Sequence, residues 1–86
     1  MSKYKLVKTT YTTPYGDSEE VKELRFENGD YARFLKLASC CGRKCVRVKC
    51  YIDGEFESSD DVYGDYDNLT PKEADRLAKG ICIYFE

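Results

Sequence analysis

Residues 45–52, Cys-Val-Arg-Val-Lys-Cys-Tyr-Ile, constrain the fold of this chain more than any other segment. Val46, Val48, Cys50 and Ile52 alternate with Cys45, Arg47, Lys49 and Tyr51. Side chains of an extended strand point alternately to its two faces, so the segment reads as a β-strand with one apolar face and one basic face. Asp53-Gly54 follows at once. That dipeptide suits a tight hairpin, so Glu55 to Ser58 is expected to run back along the strand.

The rest of the chain reads in the same terms. Lys3 to Thr12 carries Val7, Thr9, Thr10 and Thr12, whose branched side chains favour extended backbone. Pro14-Tyr15-Gly16-Asp17 is a turn by composition. In Glu20 to Glu27, Leu24 and Phe26 alternate with Glu23, Arg25 and Glu27, the pattern of a half-buried strand. Asn28-Gly29 predicts a two-residue hairpin, with Asp30 to Ala38 returning. That loop sets Phe26 opposite Tyr31 and Glu27 opposite Asp30. A helix competes over the same residues, since Tyr31, Phe34, Leu35 and Ala38 share a helical face.

Cys41-Gly42-Arg43-Lys44 reads as a turn, and Ser59 to Asn68 as an exposed loop. Thr70-Pro71-Lys72-Glu73 is a helix start, with Thr70 as N-cap, Pro71 at the first position and Glu73 completing a capping box. Ala74, Leu77 and Ala78 form the buried stripe, Gly80 is placed to end the helix, and Ile81 to Phe85 reads as a short terminal strand. The expected fold is α+β in a single domain, residues 1–86. It consists of a small, meander-like antiparallel sheet of about five strands, with one short helix near the C-terminus packed on one face.

Composition narrows the chemistry. The 86 residues include no histidine, which removes the commonest general base and excludes Ser-His-Asp and Cys-His arrangements. Neither a GxxxxGK[ST] loop nor a GxGxxG turn is present, so phosphate cradling lacks support. A domain this small is not expected to enclose a large pocket. Catalysis is therefore not expected, and no cofactor is implied. The sequence contains neither an apolar run of membrane-spanning length nor a signal-peptide pattern. A cytoplasmic location with five free thiols, Cys40, Cys41, Cys45, Cys50 and Cys82, is the expectation. Cys41-x₃-Cys45 loosely fits a zinc knuckle, but Cys45 and Cys50 point to opposite faces of one strand, so packed thiols are the preferred reading.

Charge is unevenly placed. Residues 1–50 hold eleven Lys/Arg against six Asp/Glu, and residues 51–86 hold three against ten. Asp53, Glu55, Glu57, Asp60, Asp61, Asp65 and Asp67 fall close together, with Tyr51, Phe56, Tyr63 and Tyr66 among them and no Lys or Arg between Tyr51 and Pro71. A solvated loop is the plain reading, and it does not call for four aromatics. Calcium is the other use of clustered carboxylates, but the order of residues does not fit an EF-hand loop. Spaced carboxylates can imitate a phosphate backbone and occupy a basic cleft, with tyrosines as desolvated anchors. In general type, though in no shared motif, such a chain is similar to the inhibitors carried by phages and mobile elements, anti-CRISPR and anti-restriction proteins among them.

The leading expectation is thus a non-enzymatic binding protein that blocks the nucleic-acid cleft of a defence nuclease. Its partner-binding face comprises Asp53, Glu55, Glu57, Asp60, Asp61, Tyr63, Asp65, Tyr66 and Asp67. The first alternative is a nucleic-acid binder using Arg43, Lys44, Arg47, Lys49 and Tyr51, cations for phosphate and an aromatic for stacking. The bland version of that stripe is a solvated or charge-guarded sheet face. The second alternative is a homo-oligomeric interaction module. The protein is expected to be a monomer or homodimer, with no membrane partner.

Overall fold

The computed structural model describes residues 3–38, 42–82 and 85. Five strands, β1 (Tyr4–Thr12), β2 (Ser18–Phe26), β3 (Tyr31–Lys36), β4 (Cys45–Ile52) and β5 (Glu55–Tyr63), precede one helix, α1 (Pro71–Ile81). The strands form a single antiparallel sheet in the order β1-β2-β3-β4-β5, a meander in which each strand pairs with its sequence neighbour. The 31–36 segment is a strand, so the helical alternative is set aside.

The turns fix the registers. Asp53 and Gly54 both have positive φ, 53° and 79°, and Ile52 faces Glu55 across a two-residue loop. This is the left-handed pair that a primed turn requires. Asn28-Gly29 behaves differently. Only Gly29 is left-handed, and the loop holds three residues, closed by Phe26 N–H donating to Asp30 O at 2.9 Å and Gly29 N–H to Phe26 O at 3.1 Å. Asn28 is engaged elsewhere, accepting from Asp30 N–H at 3.0 Å and donating to its carboxylate at 3.1 Å. The register therefore shifts by one from the expected pairing. Arg25 faces Tyr31 and Glu23 faces Arg33, which replaces the expected Glu27–Asp30 repulsion with an attraction. Asp30, buried, also accepts from Asp53 N–H at 3.1 Å and ties two hairpin turns together.

The expected loop over 59–68 begins only after Tyr63, because β5 continues to that residue. A bulge hides it from the sequence pattern. Tyr51 pairs with Phe56 but Cys50 with Ser58, leaving Glu57 extra. Phe56 faces outward beside Tyr51 on the turn side of the bulge, and the bulge sends Val62 inward beside Val46.

Helix α1 starts as expected. Thr70 Oγ accepts from Glu73 N–H at 3.2 Å, with Pro71 at the first position. The reciprocal half of the capping box is not among the hydrogen bonds, and the Glu73 carboxylate instead takes the Arg76 guanidinium. Ala74, Leu77 and Ala78 face the sheet. Gly80 does not end the helix: Ile81 is still helical, and Cys82 caps it by donating to Ala78 O at 2.9 Å. The expected terminal strand is not formed at Ile81 and Cys82. Residues 83 and 84 lie outside the described residues, and Phe85 stacks on Phe26 with ring centroids 4.9 Å apart.

The core lies between α1 and one sheet face. Leu24, Ala32, Phe34, Val46, Val48 and Cys50 are fully buried there. Small alanines let the helix approach closely. A Cβ on Gly64 would meet Leu77 Cδ1 and Val46 Cγ2 at 3.3 Å, so a bare backbone carries the chain from β5 toward the helix. No helix of the described residues is long and apolar enough to cross a membrane.

Candidate functional site

The alternation that fills the core also determines what faces the other way. Lys5, Arg25, Tyr31, Tyr51 and Phe56 form one row across the second sheet face, and Val7, Glu23, Arg33, Lys49 and Ser59 the next. Arg47 pairs with Asp61 and Cys45 with Tyr63 further along. Among the described residues no helix covers this face. It gathers aromatic rings and cations in contact.

Arg33 sits at its centre. Its Nε donates to Glu23 Oε2 at 3.0 Å, and its guanidinium lies 5.0 Å from the Tyr11 ring centre, 5.3 Å from that of Tyr51 and 5.8 Å from that of Tyr31. Arg25 holds the other Glu23 oxygen at 3.0 Å. Glu23 is thus a buried carboxylate shared by two arginines, the pairing that burial of a charge demands. Val21 on this face is wholly buried, which requires its neighbours to close over it. Tyr31 and Tyr51 stack at 4.6 Å, and Phe56 meets Tyr51 edge-on at 5.8 Å. Tyr11 donates to Glu19 at 2.8 Å; that bond, with burial, raises its phenol above the ordinary range.

A continuous track follows β4 and β5. Phe56, 59 % exposed, and Tyr51 stand at one end. Lys49 comes next, directly opposite Arg33 and without an ion-pair partner among the described residues. Arg47 follows, then Tyr63, 50 % exposed, with the Arg43 guanidinium 3.9 Å from its ring centre. A hollow of about 690 Å³ opens at this end between Leu37, Cys45, Arg47, Asp61 and Tyr63. Four of the five residues of the expected basic stripe, Arg43, Arg47, Lys49 and Tyr51, therefore share one track. Lys44 leaves it to pair with Asp65 at 3.3 Å.

The acidic residues do not assemble into one free patch. Arg47 holds Asp61 through two bonds of 2.8 and 3.2 Å, Lys44 holds Asp65, and Lys36 holds Asp67 at 2.9 Å. All three carboxyls are held below the usual range, Asp61 by Arg47, Asp67 by Lys36, and Asp65 first by the Asn68 amide and then by Lys44. Each cation comes from the cation-rich residues 1–50. Tyr66 is buried under the helix side of the sheet, where Lys22 donates to its carbonyl at 2.6 Å and its phenol is pushed up to about 12 by burial and the nearby Glu20. Asp53, Glu55, Glu57 and Asp60 remain without ion-pair partners among the described residues, at the β4–β5 turn and along the sheet edge.

The arginine cage was not singled out in the sequence. Alternation puts Arg33 with Tyr31, but Tyr11 joins them from two strands away. Cys45 and Cys50 do point to opposite faces of β4, both buried, while Cys40 and Cys41 lie outside the described residues. No family model, no curated protein and no solved structure matches this chain.

Proposed function

We propose that the protein is a non-enzymatic binding module for single-stranded nucleic acid, which it takes along the β4–β5 track of the open sheet face. The observation that carries this reading is the order of groups on that track: Phe56 and Tyr51, then Lys49, then Arg47, then Tyr63 backed by Arg43. Rings at both ends flank two cations over roughly 20 Å of strand, the reach of a few nucleotides. Bases stack on rings and phosphates pair with cations, and neither interaction needs a particular sequence. The open face carries Lys5, Arg25, Arg33, Arg47 and Lys49 against Glu19, Glu23 and Asp61, so it is locally positive on a protein of net charge −2. The acidic remainder of the surface disfavours duplex wrapping and makes binding sensitive to salt.

Fluorescence anisotropy tests this with labelled single-stranded DNA and RNA 12-mers and a duplex, at low salt. Single strands should bind more tightly than the duplex. Phe56→Ala should weaken binding fivefold or more, since stacking contributes roughly 1–3 kcal/mol per base. Lys49→Glu should weaken it further and flatten the salt dependence. Absence of binding by every probe, or equal binding by both variants, discards the reading.

A second reading keeps the inhibitor expectation: a protein of phage or mobile-element type that enters the basic cleft of a nucleic-acid-processing enzyme. It is favoured by the exposed Phe56 flanked by Glu55 and Glu57, with Asp53 and Asp60 nearby, none of the four carboxylates being ion-paired among the described residues. Glu55→Lys with Glu57→Lys separates the two. It should strengthen nucleic-acid binding in the first reading and destroy enzyme inhibition in the second.

A further inference from the structure

The sheet is open, and its two free edges carry opposite charge. Strands β1 and β5, nine residues each, have one neighbour apiece, and among the described residues no strand pairs with their outer sides. The β1 edge brings Lys3, Lys5 and Lys8, and no Asp or Glu precedes Asp17. The β5 edge brings Glu55, Glu57, Asp60 and Asp61, and no Lys or Arg lies between Tyr51 and Pro71. Lys5, Lys8, Glu57 and Asp60 are all exposed. Two β1 edges repel each other, as do two β5 edges, so charge guards each edge against its own kind. A β1 edge and a β5 edge attract.

The backbone suits that union. Thr13 N–H donates to Asp17 O at 2.7 Å and Glu27 N–H to Lys3 O at 3.0 Å. The odd residues of β1 therefore turn their backbone groups to β2, and Leu6, Lys8 and Thr10 turn theirs outward. Gly64 N–H donates to Lys44 O at 3.0 Å, so past the bulge Ser59, Asp61 and Tyr63 are the outward residues of β5. A five-strand meander runs β1 and β5 in the same direction. A second copy beside β5, with its helix on the same side, thus offers a parallel β1. In a parallel ladder, a residue whose groups point at the neighbouring strand bonds the two residues that flank its opposite number. Lys8 set opposite Asp60 meets that condition, with Ser59 and Asp61 as the flanking pair. The same register sets Lys5 opposite Glu57 and Thr10 opposite Val62. Leu6 and Val62 pack on the core side, so by alternation Lys8 and Asp60 emerge on one face. One outward donor is engaged in the single chain: Asp61 N–H donates to Asp60 Oδ1 at 2.8 Å. An incoming Lys8 competes for that carboxylate and releases the donor. Lys8 itself gives up only Glu20, 4.0 Å away and exposed.

We propose that the protein self-associates head to tail, the β1 edge of one copy adding in parallel to the β5 edge of the next, with Lys8 opposite Asp60. Such an interface is heterologous, so copies add one after another into a ring or a filament. The aromatic and basic face of the sheet stays uncovered, and the pairing does not depend on what that face binds.

Sedimentation velocity over a wide concentration range, at low and high salt, tests this. Assembly should grow with concentration and shrink with salt. Lys8→Glu and Asp60→Lys should each weaken self-association roughly fivefold or more, because an attraction becomes a repulsion at every junction. An equal mixture of the two variants should recover assembly, since each then finds an unlike edge on the other. That recovery excludes misfolding as the cause of the loss. A zero-length carbodiimide, applied to mixed isotope-labelled and unlabelled protein, should join Lys8 to Asp60 between copies. A monomer at every concentration, single variants that associate like the wild type, a mixture no more associated than its parts, or intermolecular links that avoid the β1 and β5 edges each overturn the proposal.

Discussion

Asp61→Asn is a small change with opposite meanings for the two functional readings. Asp61, on β5, holds the Arg47 guanidinium through two hydrogen bonds. Asparagine preserves the shape but removes the charge, so Arg47 is freed for an outside anion. Both side chains are about half exposed, so the pair contributes little to stability and the fold should persist. The effect on a phosphate can be sized from Coulomb's law. One unit charge about 7 Å from a phosphate in a water-like dielectric changes a binding constant roughly two- to threefold. A freed Arg47 that reaches a phosphate also releases one more counterion, which steepens the slope of log K against log salt by about 0.7 for a single strand. Anisotropy titrations of a labelled oligothymidine at four salt concentrations read both quantities at once. Tighter binding at low salt with a steeper slope is the expected result. Unchanged or weaker binding with an unchanged slope refutes the placement of nucleic acid on this track.

Gly80→Ala should stabilise the protein by about 0.5–1 kcal/mol, because Gly80 lies inside α1 with open space where a Cβ would go; a thermal melt that moves down instead would mean that the glycine serves the helix end. Tyr66 should make stability fall above pH 10. Its folded pKa, about 12, lies above the unfolded value, so its contribution is whole below pH 10 and is lost as pH climbs through 12, roughly 1 kcal/mol of it between pH 9 and 11. Urea unfolding at those two pH values checks this, and Tyr66→Phe should flatten the difference.

What was legible in the sequence was what local geometry decides. The alternation of Cys45–Ile52 and the Thr70-Pro71 start of α1 need no distant information, and both stand as read. The misreadings have specific causes. Asn28 spends its side chain on Asp30, which lengthens a turn that composition alone makes two residues long. The end of β5 is masked because a bulge at Glu57 breaks the period and because an edge strand tolerates polar residues at either parity. Ala78 accepts from Cys82 N–H, so the helix runs past Gly80. Asp61, Asp65 and Asp67 read as free in the sequence because their cations, Arg47, Lys44 and Lys36, are remote in sequence and arrive only once the sheet forms. The Arg33 cage was invisible for the same reason.

The order of elements has a consequence for synthesis. Each hairpin of the meander can close as it leaves the ribosome, because its partner has just been made. The helix that covers the apolar face follows all five strands. At about 5–20 residues per second, the roughly twenty residues from the end of β5 through α1 take about 1–4 s to appear. For that interval Leu24, Phe34 and Val48 would lie on an open, greasy plane, the surface a chaperone grips and a neighbouring nascent chain adheres to.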